Sequence, residues 1–239
     1  MTRVAIVQPN FLPWRGAFDL IDRVDEFVFL DNVQYTRNDW RNRNRVLAPG
    51  GHVQWLTVPV RGSTTQMISE VSIDDTQHWQ RRHLRGLRMA YGNAPHVDFA
   101  LGLLERAYQA APQRLVDLTI PLTVEIARFL GSQTKFHVAS ELSPREGKNE
   151  RLIDLVASVG GTVYVSGPSA TDYMQPEQWA ASKIEVQFME YPQYPDYVQL
   201  ASSYIPDLSI LDLLCMQGPD APRHIWPDRV KEKDPNARR

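Results

Sequence analysis

Residues 3–32 read RVAIVQPNFLPWRGAFDLIDRVDEFVFLDN, and this stretch decides the fold class. Residues 3–8 (RVAIVQ) are a short apolar run that stops at Pro9, the pattern of a buried strand. Over 16–24 (GAFDLIDRV) the apolar side chains Phe18, Leu20, Ile21 and Val24 fall at helical spacing. Residues 26–30 (EFVFL) form a second apolar run, ended by Asp31 and Asn32. Strand, loop, helix and strand in this order make a βαβ unit. Parallel strands need such a crossover, and its right-handed form dominates.

Working outward, residues 53–60 (VQWLTVPV) and 67–73 (MISEVSI) read as further strands, the first at a sheet edge because of Pro59. From 76 the period becomes helical. The three helical stretches are 78–92, 97–111 and 114–132, the last interrupted by Pro121. A second α/β region follows, with strands at 135–140, 162–167 and 184–191 and a helix at 150–160. The expected fold class is therefore α/β, a parallel-sheet, Rossmann-like (HUP-like) core built from two βαβ regions with a helical block between them at about 76–132. One domain is expected over 1–218. The tail from Pro219 is rich in Pro, Asp, Arg and Lys and is expected to be loosely ordered, with Trp226 docking back.

Composition narrows the function classes. Hydrophobic residues make up 43% and charged residues 23% of the 239, which excludes a wholly disordered chain. A net charge of −2 argues against a duplex nucleic-acid binder. The N-terminal MTRVAIVQPN has no apolar signal core, and no apolar run reaches membrane-spanning length, so a cytoplasmic location and no membrane partner are expected. The single cysteine, Cys215, lies in SILDLLCMQG and reads as a small buried hydrophobe. The six histidines are scattered, and no metal centre is expected. Arg supplies 21 of the 26 basic residues. A GC-rich coding sequence also gives that bias, so position matters more than the total. Nine of the arginines fall in 37–92, against Asp39, Glu70, Asp74 and Asp75.

Four segments carry chemistry. QPNFLPWRG (8–16) follows the first strand, where open parallel sheets bind ligands. It offers Gln8, Asn10 and Trp14. DNVQYTRNDWRNRNRV (31–46) alternates Arg41, Arg43 and Arg45 with Asn42 and Asn44, so an extended backbone would put the arginines on one face. Either an anion sits among them, or Asp31 and Asp39 pair with them. His78, Arg81, Arg82, Arg85 and Arg88 form a basic helical stripe. This suits a phosphorylated or carboxylated small molecule, a tRNA end, or a solvated helix face. His83, one turn from Trp79, reads as a packed histidine. VYVSGPSATDYM (163–174) ends a strand with Ser166 and adds Asp172. Pro168 after Gly167 excludes a nucleophile elbow, and there is no Gly-Lys-Ser/Thr phosphate loop.

These blocks, with HWQRRHLRGLRMAYGNAPHV and YIPDLSILDLLCMQG, resemble the WbqC-like family over residues 3–218. By analogy with the pathways in which that family occurs, O-antigen and other surface-glycan or specialised-metabolite synthesis, the resemblance implies a biosynthetic enzyme. The implied activity is transfer of an (amino)acyl group to a small polar acceptor such as an amino sugar. The co-substrate would be an activated acyl donor or ATP. The partners would be a small anionic substrate, with an acyl carrier or aminoacyl-tRNA as delivery forms. On this reading Gln8, Asn10 and Trp14 line the acceptor pocket and Arg41, Asn42 and Arg43 hold the donor. Asp31 is the general base, and Ser166 and Asp172 close the far wall. A second likeness, of fold, is to HIGH-type nucleotide-binding enzymes, which implies adenylyl or nucleotidyl transfer. Their turn carries histidines, whereas this one reads Leu12-Pro13-Trp14-Arg15-Gly16, so Arg15 and the arginines at 41–45 would have to replace the charge. A non-catalytic pathway scaffold is the third reading. It requires no polar pocket at the strand ends, and Gln8, Asp31 and Arg43 pointing apart.

Overall fold

The computed structural model describes residues 1–168 and 174–226. Its centre is the predicted unit: β1 (Arg3–Val7), α1 (Arg15–Asp22) and β2 (Glu26–Phe29). Ala5 pairs with Phe27 and Ile6 with Val28 in a parallel ladder. An antiparallel hairpin follows, β3 (Arg43–Leu47) and β4 (Val53–Thr57), then the helices α2 (Trp79–Tyr91), α3 (Val97–Gln109) and α4 (Leu115–Phe129). The chain returns to the sheet with β5 (Lys135–Val138), α5 (Ala139–Leu142), α6 (Lys148–Ser158), β6 (Val163–Ser166), α7 (Pro176–Ser182) and β7 (Glu185–Phe188). It closes with α8 (Ile210–Gln217).

The five sheet strands lie in the order β5-β2-β1-β6-β7 and all pair in parallel. This is an α/β, Rossmann-like core. Strand order runs outward from β1 in one direction and then in the other, so β1 and β6 flank a switch point, where the loops at the carboxyl ends part and leave a crevice. The period of two along β1 sends Ala5 to one core, with Phe18, Ile21 and Leu118, and Val4 and Ile6 to the other, with Leu152, Val156 and Trp179. Helices therefore cover both faces, as a parallel sheet requires.

Four sequence expectations change. Residues 67–73 are not a strand. Ile68–Glu70 is a 3-10 turn flanked by single bridges (Gln34 with Met67, Val60 with Ile73, Ser72 with Arg114). Ile68 and Val71 are buried three apart, the spacing of a turn, and the N–H of Val71 donates to the carbonyl of Ile68. Residues 53–60 shorten to β4, which pairs with β3 and not with the main sheet. Pro121 does not interrupt α4. It removes one backbone donor, but the buried Leu118, Leu122 and Ile126 hold the helix on the core through that point. Finally, the chain stays packed past 218. Gly218–His224 forms a 3-10 helix, and Ala221, Ile225 and Trp226 are buried, whereas 227–239 lie outside the described residues.

Candidate functional site

The loop after β1 is held from three sides. The N–H of Phe11 donates to the carbonyl of Trp40 (2.9 Å). The buried Asn44 amide donates to the carbonyls of Phe11 (3.1 Å) and Leu12 (2.8 Å), which fixes Leu12 in the left-handed region at φ 47°. The N–H of Ile210 donates to the carbonyl of Pro13 (3.0 Å), and Trp14 bridges to Ser209. Gly16 then permits a close approach, because the Trp14 indole folds over its α-carbon where a Cβ would stand. The indole packs on Tyr191 and Tyr194, with ring centroids 5.2 and 5.9 Å away.

The loop separates two cavities. The first, about 340 Å³, lies at the switch point, lined by Gln8, Asn10, Trp14, Arg41, Tyr164 and Ser166 among others. Arg41 donates from Nη2 to Oε1 of Gln8 and is paired to Asp39 through Nη1 (3.1 Å). Burial pulls the Arg41 pKa down, against the pull of Asp39, and its Nε is buried without a partner. Ser166 donates to the Tyr164 hydroxyl oxygen (3.2 Å). The second cavity, about 310 Å³, shares Asn10, Pro13 and Trp14 as a common wall and adds Trp40, Asn44, Arg45 and Asp207. Arg45 and Asp207 form an ion pair. The Oδ1 of Asn10, in the shared wall, is buried and has no partner. A buried acceptor left unsatisfied is costly, and in the free protein it marks a place where a donor from a ligand is favoured. Both volumes sit at the lower end of the range for small-molecule sites, about 300–1,000 Å³. Among the described residues no group of three His, Cys, Asp or Glu side chains is placed to hold a metal. Nor is any helix there long and apolar enough to cross a membrane.

Residues 8–224 match the family described as the WbqC-like protein family. The chain belongs to that family. It is also 41% identical over 228 residues to "Uncharacterized protein Rv1507c" of Mycobacterium tuberculosis (strain ATCC 25618 / H37Rv), an overlap covering 94% of this chain and 98% of the relative. No solved structure matches the chain.

In this WbqC-like protein, Gln8, Asn10, Trp14, Arg41 and Ser166 come together as the sequence suggests. Asp31, Asn42 and Arg43 do not join them. Asp31 is buried at the carboxyl end of β2. Its Oδ1 accepts the Ser140 N–H (2.9 Å) and its Oδ2 accepts the Ser140 hydroxyl (2.7 Å), so both oxygens serve the first turn of α5. The Asn42 amide donates to the Val58 carbonyl (2.9 Å). Arg43 donates to the Asn38 carbonyl and lies 4.2 Å over the Trp55 ring. Asp172 lies outside the described residues. Arg15, the sequence-level substitute for a phosphate-binding histidine, is spent internally. It donates to the carbonyls of Pro195 (2.8 Å) and His224 (3.2 Å) and to the Tyr204 hydroxyl (2.6 Å).

Other polar groups are structural. His83 sits between the Tyr108 hydroxyl and the Thr57 carbonyl (3.0 Å each), and burial pushes its pKa down to about 4. The arginines at 81, 82, 85 and 88 of α2 are exposed, and Arg88 pairs with Asp98. Cys215 is fully buried and burial pushes its thiol pKa up, which keeps it unreactive. Asp212 is also fully buried. It accepts from the hydroxyls of Tyr91 (3.0 Å) and Tyr197 (2.7 Å) and from the Gln199 amide (2.9 Å). Reasoning from the sequence missed Tyr164, Tyr191 and Asp207 as cavity residues. Tyr164 had a signal, since it precedes Ser166 on the same face of β6. Asp207 had none, because only the tertiary fold brings it to Arg45.

Proposed function

We propose that this protein is a biosynthetic transferase that joins an (amino)acyl group from an activated donor to a small polar acceptor, an amino sugar or a comparable intermediate. The observation that carries the reading is the pair of adjoining cavities with Asn10 in the wall between them. Two bound reactants meeting at one wall turn a bimolecular step into a local one, which accelerates the reaction without any nucleophile of the protein's own. The acceptor occupies the switch-point cavity, where Gln8, Arg41 and Ser166 supply donors and acceptors of both kinds. The unpartnered Asn10 oxygen accepts an N–H of the attacking amine, orienting its lone pair toward the acyl carbon. The Arg41 guanidinium stabilises the charge that grows on the acyl oxygen. That charge collapses to break the bond to the donor's activating group, which departs with the electron pair, and the amine proton passes to solvent. Asp31 acts from outside the cavity by fixing α5 on Ser140.

The test is comparative metabolite profiling of the source organism with the gene deleted and restored. The expected result is an acceptor that accumulates in the deletion and disappears, gaining an acyl mass, on complementation. An Arg41→Met chain should fail to complement. A deletion strain with no such pair of compounds refutes the reading. The separation of Asp31 and Arg43 from Gln8 favours a second reading, a non-catalytic protein that recognises the same intermediate. That reading predicts a lowered product level with no change in its acylation.

A further inference from the structure

The hairpin β3–β4 carries an aromatic and cationic surface that the acceptor cavity does not use. Trp40 and Trp55 are 41% and 45% exposed, with ring centroids 5.3 Å apart. The Arg43 guanidinium lies 4.2 Å from the Trp55 centroid, and that of Arg45 lies 5.8 Å from the Trp40 centroid. Paired indoles left open to water beside arginines mark a contact site. The surface runs into the second cavity, since Trp40 and Arg45 line both.

Charge is unevenly distributed along it. Asp207 neutralises Arg45, whereas among the described residues Arg43 and Arg37 have no carboxylate partner. They donate only to the carbonyls of Asn38 and Gly62. Arg43 and Arg45 alternate on one face of β3, about 7 Å apart along the strand. A ligand that satisfies this pattern has a flat ring at one end and an anion at the other, separated by a short polar link.

We infer that the second cavity and the hairpin face together bind a nucleoside phosphate, the base inside against Trp40 and the phosphate outside at Arg43. The Arg45–Asp207 pair sets the direction. The two charges cancel in the cavity wall, so the cavity offers phosphate no free cation, while the Asp207 carboxylate can still accept from a base N–H or a ribose hydroxyl. Arg43, with its guanidinium fork and no carboxylate to hold, takes the phosphate oxygens. The ligand's role as carrier of the acyl donor rests on the transferase reading, but its binding does not.

Calorimetric titration of the whole protein with ADP, coenzyme A, UDP, adenosine, uridine and pyrophosphate tests this. Saturable binding of at least one nucleoside phosphate is expected, with the bare nucleoside and pyrophosphate each weaker by about ten-fold or more. ADP and coenzyme A against UDP distinguish an adenine-based from a uracil-based carrier. Trp40→Leu and Arg43→Gln should each weaken binding by about ten-fold. The fold should persist in both, since Trp40 is exposed and the half-buried Arg43 has no ion pair to lose, which a melting curve checks. Arg82→Gln, on the exposed face of α2, should leave binding unchanged. Absence of binding by every nucleoside phosphate, or binding that survives Trp40→Leu and is lost in Arg41→Met, overturns the inference. Neither result touches the metabolite test, which reads acylation and not affinity.

Discussion

Replacing Gly16 by alanine probes the wall that both cavities share. The added Cβ would stand 2.3, 2.5 and 2.7 Å from Cζ2, Cη2 and Cε2 of Trp14. Carbon atoms settle no closer than about 3.5 Å, so the indole must retreat by about 1 Å. Tyr191 and Tyr194 block one route, and the Tyr194 hydroxyl is tied to Asp19 at 2.7 Å. The open route is into the cavities. Overpacking of this kind costs about 1–3 kcal/mol, partly offset by the better helix propensity of alanine. Gly86→Ala supplies the control. Gly86 lies inside α2 with nothing within 4 Å of its would-be Cβ, so that variant should gain about 0.5–1 kcal/mol from propensity alone. Urea unfolding of both variants measures the difference, expected at about 2 kcal/mol in favour of Gly86→Ala. The indole N–H signals of the six tryptophans in an NMR spectrum show which ring moves, and Trp14 should shift only in Gly16→Ala. Equal stabilities with an unmoved Trp14 signal would refute the claim that Gly16 is needed for this packing.

His83 makes stability depend on pH. Its folded pKa, about 4, lies below the ordinary 6.5, so the unfolded chain binds the proton more readily. The neutral ring's contribution is complete above 6.5 and is lost as pH falls toward 4, a loss of about 3 kcal/mol. His83→Gln should flatten that part of the stability–pH curve, and an unchanged curve would assign the slope to other groups. Asn44→Ala strips the Phe11 and Leu12 carbonyls of their donor, at a cost of about 1–3 kcal/mol in urea unfolding. It should also speed hydrogen exchange at the Phe11 amide, whereas unaltered exchange would show that the loop holds itself. Asp31→Asn should lower stability and expose the Ser140 amide to exchange. Full stability with lost turnover would instead make Asp31 the general base.

The parts of the fold that local patterns control were legible. The apolar run in β1, the helical spacing in α1 and the second apolar run in β2 each contain their own signal, and the parallel order follows from the crossover. Residues 67–73 misled because buried apolar positions occur in turns as well as strands, and the bonds that pin this turn run to Val33 and Leu115, far along the chain. The site divides in the same way. Gln8, Arg41 and Ser166 meet because strand-end loops on one edge of a parallel sheet converge. Asp31 also stands at a strand end, yet the turn its side chain takes was settled by Ser140, more than a hundred positions later. Asp207 and Tyr191 carry no local mark at all.

Arg15 gives the protein a schedule as well as a clamp. It lies in the first turn of α1, but the carbonyls and hydroxyl that hold it belong to Pro195, Tyr204 and His224. Pro13 and Trp14 likewise wait for Ile210 and Ser209. During synthesis the loop that separates the two cavities is therefore made well before the residues at 195–224 that secure it. A chain that ends before residue 209 can pair its sheet, but its binding loop keeps only the ties from Trp40 and Asn44 and lacks those from Ser209 and Ile210. Only when Ile210 and His224 are in place are Pro13 and Arg15 both secured.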